Sequence, residues 1–384
     1  AAALAFPLLE TVTGSLNFTR TASSLNMPLL ESVGTSFTIS SNSFNTSTSI
    51  VLANLTAVPG AFSMDNNLNL EAINIAGPFT GVTTSLSVTG NAALTTANIG
   101  VSSITGNLTF NTNGPGVTAV TFASLTNVDG NFTMSNNAAN GVSASININL
   151  LANVGGIMRF TRAAGSISGN ALTNVTSDFR FDVNNSFTNL DAAFPNFATI
   201  GGNLLVQNNT MLGTCCIIPC QLMVAGTTTV SGNTGNCATL AAATTSCTPA
   251  VSITGSANVC INGTITLNGN PLNNNPPITH TWSVTGGSGM ATFVNNNDGT
   301  ANFTGTVAGT VNVQYVAESA TGCTSTGAFI LTVDASPTLS GCLSDLSVNS
   351  TNNGSGDCTA NFTWSHPAVS GLAASCGPAV LTVN

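Results

Sequence analysis

Arginine is the charged residue type whose positions in this chain follow a pattern. The chain has four arginines and no lysine, and Arg159 and Arg180 each follow the first apolar residue of a short apolar–polar–apolar triplet. If these triplets are neighbouring strands, the two guanidinium groups emerge side by side and repel each other unless an anion or a carboxylate joins them. Arg162 is close by, and Asp178 and Asp182 are candidate carboxylates. Two interpretations stay open: a surface salt-bridge cluster, or a site for an anionic sugar formed by Arg159, Arg162 and Arg180.

The residue types used by enzymes are not arranged for catalysis. Without lysine there is neither a P-loop nor a Schiff-base site, and no G-x-S-x-G motif occurs. His280 and His366 lie beside predicted strand tryptophans, which favours structural roles. Asp178 and Asp182 are separated by about 13 Å at strand rise, too far for a glycosidase pair. We predict no catalytic residue, no enzyme activity and no cofactor.

The cysteines indicate an oxidising compartment. All ten follow residue 214, which is typical of a secreted protein with disulfide bonds. A zinc site is the alternative, but Cys215, Cys216 and Cys220 have poor ligand spacing and neither histidine lies near them. We therefore predict no bound metal.

Composition favours strands and turns. Only 4% of the 384 residues are charged, and 42% are hydrophobic, with 19 phenylalanines available for a core. Glycine, asparagine, threonine, serine and β-branched residues dominate, which predicts an all-β fold. The net charge of −9 argues against nucleic-acid partners. No apolar run approaches the ~18 residues of a membrane-spanning helix.

A triplet recurs with a period of 21 to 26 residues over the first part of the chain. Its first apolar residue, which we call the anchor, is Leu16, Phe37, Phe62, Leu86, Leu108, Phe132, Met158, Phe179, Leu204 and Thr228 in turn. A second apolar residue follows two positions later, so each triplet reads as a strand with one face inward. One register held across ten repeats predicts a β-solenoid of about ten coils, each of 20–26 residues. Stacked at ~4.8 Å, they would span roughly 45–50 Å.

Asparagine recurs five positions after the anchor in eight of the ten coils. The eight are Asn42, Asn67, Asn91, Asn113, Asn137, Asn184, Asn209 and Asn233; the other two coils have Thr21 and Ala163. A carboxamide there can donate to one backbone carbonyl and accept from a backbone N–H. We predict a ladder of stacked asparagines, each rung contributing about 1 kcal/mol.

Each coil also has a second apolar block before the next glycine, for example FASLTNV at 122–128 and FPNFATI at 194–200. We expect this block to be a second inward-facing strand on another wall of the coil.

Residues 1–247 resemble the receptor L-domain type of right-handed β-helix, and in particular its relatives in Bacteroidetes surface proteins. The resemblance rests on the period together with the asparagine position, as in LTNVDGNFTMSNN. It implies a right-handed solenoid. Because FPLLETVTGSLNF parallels MPLLESVGTSFTI one coil later, we expect the chain to begin inside a coil, with more solenoid or a cap before it.

The resemblance extends to a cysteine-rich cap. In the relatives a vicinal cysteine pair and two later cysteines close the solenoid, and the matching residues here are Cys215, Cys216, Cys237 and Cys247. It implies two disulfides among these four. Cys220 departs from the pattern, which leaves either a free thiol or a different pairing.

Two further modules are predicted after the solenoid. Residues 248–335 resemble PKD-like and Ig-like β-sandwiches; we expect Cys260 and Cys323 to bridge the sheets with Trp282 packed against them. Residues 336–384 resemble the start of a hyalin-repeat (HYR) domain, a truncated β-sandwich. The residues carrying this resemblance are Cys342, Cys358, Cys376 and the NFTWSHP strand.

The resemblance implies a segment of a large secreted Bacteroidetes adhesin, exported by a type IX system and located at the cell surface in association with the outer membrane. Gliding motility is one setting in which such proteins act. The expected partners are other domains of the same chain, surface glycans, and anchoring or secretion machinery. Two other functions stay open: a subunit of an extracellular filament, and a carbohydrate-binding module.

Overall fold

The computed structural model describes residues 2–75, 83–137, 144–271 and 277–335, together with strands Thr338–Ser340 and Ala368–Ser370. The chain divides into two compact units. The first comprises Ala1–Thr248 with Thr321–Cys323, and the second comprises Pro249–Ala320 with Thr324–Asn384.

The first unit is a β-solenoid of about nine turns. Its largest sheet has ten parallel strands in chain order: Leu16–Thr19, Phe37–Ser40, Ala61–Asp65, Ser85–Thr89, Leu108–Asn111, Phe132–Ser135, Met158–Thr161, Phe179–Asp182, Leu204–Gln207 and Thr228–Ser231. Each anchor pairs with the anchor of the next coil, as in Phe132 with Met158 and Met158 with Phe179. The register predicted from the triplets is therefore the register of this sheet.

Two further sheets each contain six strands from successive coils. The second sheet comprises Ser43–Val51, Leu68–Ile75, Thr96–Ile99, Ala119–Thr121, Ser145–Asn147 and Ser166–Ser168. The third comprises Ser103–Ile104, Asn127–Val128, Asn153–Val154, Asn174–Val175, Thr199–Ile200 and Met223–Val224. Near the start of the chain, Ala2–Ala5 pairs with Ala22–Asn26, and Thr11–Val12 pairs with Ser32–Val33.

The predicted second strand of each coil is shorter than expected. In the block 122–128 only Asn127–Val128 is a strand, because the block begins as a turn in which Leu125 donates its N–H to the Phe122 carbonyl. Leu125 is nevertheless fully buried. The apolar residues thus reach the core from a turn as well as from a strand, and the apolar pattern does not distinguish the two.

The core of the solenoid is built from columns of identical or similar side chains. In the ten-stranded sheet, Phe160 pairs in register with Phe181, with ring centroids 5.9 Å apart, and it also contacts Phe132 of the neighbouring anchor column at 5.6 Å. All three are completely buried. Stacking of in-register apolar residues gives one continuous core through the unit.

Close backbone approach explains the glycine before several anchors. A Cβ atom on Gly155 would lie 2.1 Å from the Asp129 carbonyl oxygen, and one on Gly201 would lie 2.1 Å from the Thr176 carbonyl oxygen. Only glycine fits where one coil passes so near the previous one.

The end of the solenoid is capped by short helices. These are α1 (Leu190–Ala193), α2 (Ile217–Cys220), a 3-10 turn (Gly235–Cys237) and α3 (Leu240–Cys247). Asn189 caps α1 by accepting from the Ala192 N–H, and Thr239 caps α3 by accepting from the Ala242 N–H. In the part of the chain that the structure describes, no helix has the length and apolar character needed to cross a bilayer.

The second unit contains two four-stranded sheets. One comprises Val251–Thr254, Thr264–Pro271, Thr300–Val307 and Met290–Asn295; the other comprises Asn258–Cys260, Thr324–Asp334, Gly309–Ser319 and Pro277–Gly287. Strand Asn258–Cys260 pairs parallel and the other pairs are antiparallel. Leu267 and Phe303 from the first sheet and Trp282 and Tyr315 from the second belong to one buried cluster.

Most of the predicted third module lies outside the described residues, including His366, Cys342, Cys358 and Cys376. Within 336–384 the structure describes two strands, Thr338–Ser340 and Ala368–Ser370, which pair antiparallel.

Candidate functional site

All eight predicted asparagines lie at the corner where the chain leaves the ten-stranded sheet, and all but the half-buried Asn233 are buried. Each donates from Nδ2 to the carbonyl of the second apolar residue in the preceding coil, for example Asn113 to Val88 and Asn209 to Phe181. Within a run, the next asparagine accepts through Oδ1 from the backbone N–H of the one before, at 2.8–3.2 Å. This double role is the one that the carboxamide chemistry predicts.

The ladder has two runs, of five and three rungs, separated at Ala163. In this coil the Asn137 backbone N–H donates to the Arg162 carbonyl at 3.2 Å, in place of an asparagine oxygen. On the other side, Asn184 Oδ1 accepts from the N–H groups of Ala163 and Ala164 at 3.0 and 3.1 Å. The corner stays hydrogen-bonded although the asparagine is missing.

A left-handed residue precedes the asparagine position in every one of the ten coils. The ten are Arg20, Ser41, Asn66, Gly90, Thr112, Asn136, Arg162, Val183, Asn208 and Gly232, with φ between 48° and 67°. This set contains two arginines, Arg20 and Arg162, and both are exposed. The corner therefore places the Arg162 side chain in solvent by a sharp backbone turn, which the sequence pattern did not reveal.

A second row of polar side chains lies at the residue before the anchor. Asn107 Oδ1 accepts from the Asn131 N–H at 2.8 Å, and Asn131 Oδ1 accepts from the Ile157 N–H at 2.7 Å. Asp178 and Asn203 continue the row in later coils. The sequence analysis missed this row, although the recurrent Gly-Asn dipeptides at 106–107, 130–131 and 202–203 were its visible sign.

The structure brings Arg159 and Arg180 side by side on adjacent strands of the ten-stranded sheet. Arg180 Nη2 donates to Asp178 Oδ2 at 2.7 Å, whereas Arg159 Nη2 lies 3.8 Å from Asp182 Oδ2. Arg159 instead donates from Nε to Thr161 Oγ1 at 2.8 Å. The salt-bridge interpretation thus describes Arg180 well and Arg159 only loosely.

The carboxylate partners differ in the same way. Asp178 accepts from the Asn203 backbone N–H at 2.8 Å as well as from Arg180, and these two bonds, that of Asn203 foremost, lower its pKa. Asp182 accepts from the Thr161 hydroxyl at 2.5 Å. Asp178 is therefore bound directly by Arg180 and by the Asn203 N–H, whereas Asp182 is bound by the Thr161 hydroxyl and lies farther from the Arg159 guanidinium.

The cysteines close the solenoid through two disulfides, Cys215–Cys237 and Cys216–Cys247. These are the four residues to which the resemblance points. A third disulfide joins Cys220 to Cys323, which belongs to the same compact unit as the solenoid. Cys220 is therefore not a free thiol.

The expected bridge between Cys260 and Cys323 is wrong, because Cys323 is bonded to Cys220. Cys260 is also disulfide-bonded. Trp282, expected beside that bridge, packs instead on Tyr315 with ring centroids 4.6 Å apart and edge-on to Phe303 at 5.7 Å. The bridge expected between the two sheets of a sandwich does not form, because Cys323 is grouped in space with the solenoid and bonds to Cys220.

Asp191, in α1, is half-buried and binds the start of α2. Its two carboxylate oxygens accept from the N–H groups of Cys216 and Ile217 at 3.0 and 2.9 Å. Burial raises the pKa of Asp191, and the two hydrogen bonds oppose that rise.

His280 has a structural contact: its Nδ1 lies 2.7 Å from the hydroxyl of the fully buried Tyr315. Across the described ranges, no group of three or more histidine, cysteine, aspartate or glutamate side chains could hold a metal ion.

Comparison with known proteins identifies no relative: no protein-family model, curated protein or solved structure matches this chain.

Proposed function

We propose that this chain is a segment of a large cell-surface protein that acts in adhesion, as a rigid, disulfide-stapled spacer that displays flat sheet faces. The observation that carries the proposal is the ten-stranded sheet with its buried asparagine corner. Its inner polar groups are bonded from coil to coil, so the sheet presents a regular, pre-ordered outer face. Such a face can meet a partner without the entropy cost of ordering a loop.

The disulfides support a location outside the cell. Three of them lie in the first unit, and disulfides persist in oxidising environments. We place the protein at the cell surface, associated with the outer membrane, and we retain the Bacteroidetes adhesin type, its type IX export and gliding as the proposed setting. The partners in this proposal are other domains of the same chain, surface glycans, and anchoring or secretion machinery.

The same proposal covers the modules. We assign a right-handed coil to the solenoid, an Ig-like or PKD-like β-sandwich to residues 248–335, and the start of an HYR-like module to 336–384. The shared buried cluster of the two four-stranded sheets supports the sandwich assignment.

Adhesion is tested with beads that carry the purified chain. They are passed under flow over bare glass, polysaccharide-coated glass and a layer of bacterial cells, with albumin-coated beads as the control. We expect retention above the control on at least one surface. Retention no higher than that of the albumin-coated beads on all three surfaces would contradict the proposal.

Electron microscopy separates the spacer from the filament subunit. A spacer gives single particles whose mass in light scattering stays constant with concentration. Regular polymers that grow with concentration would favour the filament instead.

A further inference from the structure

Arg159 has hydrogen-bonding capacity that the protein does not use. Its side chain is 43% exposed, and its only hydrogen bond within the described ranges runs from Nε to Thr161. The 3.8 Å separation between Arg159 Nη2 and Asp182 Oδ2 is too long for a hydrogen bond, and the Thr161 hydroxyl donates to the other oxygen of that carboxylate, Oδ1. The two terminal nitrogens of Arg159 thus face solvent with a distant counter-ion.

The neighbouring groups leave a positive surplus at this place. Arg180 lies one strand away and is bound to Asp178, so it is neutralised by its own partner. Arg162 is exposed and has no ion pair among the residues that the structure describes. Three guanidinium groups against two carboxylates leave one net positive charge, in a chain whose overall charge is −9.

A row of hydroxyl groups leads to Arg159 along the same face. Thr109, Thr133 and Arg159 occupy paired positions on three successive strands, each about 4.8 Å from the next. Both threonines are half-buried, and within the described part of the chain their hydroxyls have no hydrogen-bond partner. A sugar hydroxyl can donate to or accept from such a group.

We propose that Arg159 and Arg162 bind the acidic group of a polysaccharide, with neighbouring sugar hydroxyls on Thr133 and Thr109. A guanidinium fork matches a planar carboxylate, and it also binds the oxygens of a sulfate ester. Arg180 is left out of this site, because it is bound to Asp178 Oδ2 at 2.7 Å. This inference rests on the adhesion proposal and names the ligand class for one of its faces.

Binding is measured by titration calorimetry on the whole chain at low salt. The probes are a galacturonate tetramer for the carboxylate, a heparin-derived tetrasaccharide for the sulfate, and maltotetraose as the neutral sugar. We expect at least one acidic probe to bind and the neutral sugar not to bind. The affinity for the acidic probe should fall as the salt concentration rises, because the ion pair between the probe and the arginines is exposed to solvent.

The variants distinguish this site from diffuse attraction. Arg159→Ala should weaken binding by about tenfold or more, since a charge-assisted hydrogen bond is lost, and Arg162→Ala by a smaller factor. Arg20→Ala is the matched control, because Arg20 occupies the same left-handed corner position with φ 58° against 48° for Arg162. Its affinity should not change. Arg159→Gln keeps the long polar side chain and serves if the alanine variant does not fold.

Three results would overturn the inference: no acidic probe binds, the neutral sugar binds equally well, or both Arg159 variants bind like the parent chain. If beads still adhere while acidic probes fail, the spacer proposal survives and this ligand class is wrong. If acidic probes bind at Arg159 but beads do not adhere, the binding site is supported and the proposed adhesion function is contradicted.

Discussion

The two units differ in how their interior side-chain hydrogen bonds are arranged. In the solenoid, one residue type at one position forms them repeatedly, and each asparagine serves the coil before it and the coil after it. In the unit with two four-stranded sheets, a single His280–Tyr315 pair joins two strands and has no copy elsewhere in that cluster. Repetition makes the solenoid readable from sequence and makes each rung depend on its neighbours. The His280–Tyr315 pair is not repeated, so no sequence pattern reveals it, and we expect its loss to have only a local effect.

The largest effect tests the stacked core. Phe160 is fully buried between Phe132 and Phe181, so Phe160→Ala should lower the free energy of unfolding by about 3–5 kcal/mol. Leu205→Ala, at a half-buried outward position of the same sheet, is the control and should cost much less. Urea denaturation followed by circular dichroism measures both. Equal costs would mean that the burial of Phe160 does not stabilise the solenoid.

The next effect tests the cap. The last rung, Asn233, is only half-buried, so we expect covalent bonds to hold this end. Cys216 and Cys247 are 31 residues apart, and their joint change to serine should cost about 3–4 kcal/mol. Non-reducing peptide mapping of the parent chain should recover Cys220 linked to Cys323. A peptide that links Cys260 to Cys323 would contradict the structure.

The third effect tests repetition itself. Asn113→Ala should cost about 2–3 kcal/mol, because it removes the side chain that donates to the Val88 carbonyl and accepts from the buried Asn91 backbone N–H. Asn98→Ala is matched in residue type and in stacking, since Asn98 Nδ2 donates to Asn74 Oδ1 on the outer face. It should cost less than about 0.5 kcal/mol. If the two variants unfold alike, the buried ladder does not stabilise the solenoid.

A smaller effect is expected for the unrepeated pair. Tyr315→Phe keeps the ring against Trp282 and removes only the hydroxyl that contacts His280, which should cost about 1 kcal/mol. Tryptophan fluorescence during urea unfolding reports this change. A loss as large as that of Asn113→Ala would end the contrast between the two units.

The smallest effect is a difference in pH dependence within the solenoid. The pKa of Asp178 is lowered in the folded state. Its contribution to folding stability is therefore fully present above pH 3.8 and is lost as the pH falls through the lower folded-state pKa. The pKa of Asp191 is raised by burial in the folded state. Its contribution to folding stability is therefore fully present below pH 3.8 and is lost as the pH rises through the higher folded-state pKa. The cost of Asp178→Asn should therefore grow with pH, and that of Asp191→Asn should shrink. Unfolding measured between pH 3 and 7 checks both slopes, and parallel slopes would show that one assignment is wrong.

The sequence predicted much of the solenoid because its signal is periodic. Anchors such as Phe132 and Met158 pair as aligned, since a slip of one residue would turn the apolar side chains outward. The second sheet of the coil was not predicted, because strands such as Ser145–Asn147 are short and present small polar residues. The second row was also missed, since Asp178 and Ile157 break the run of asparagines there.

By itself, the amino-acid sequence determined the all-β solenoid, the strand register and the asparagine corner, because local alternation and a fixed period specify which side chains face inward. The tertiary structure decided which cysteines meet and which arginine has a close counter-ion. Disulfide partners must approach closely in space, and Cys323 does so with Cys220 rather than with Cys260. Arg180 and Arg159 occupy equivalent positions in the repeat, but the residue two positions earlier is Asp178 in one coil and Ile157 in the other. The tertiary structure shows that Asp178 binds Arg180 at 2.7 Å, whereas Asp182 stays 3.8 Å from Arg159.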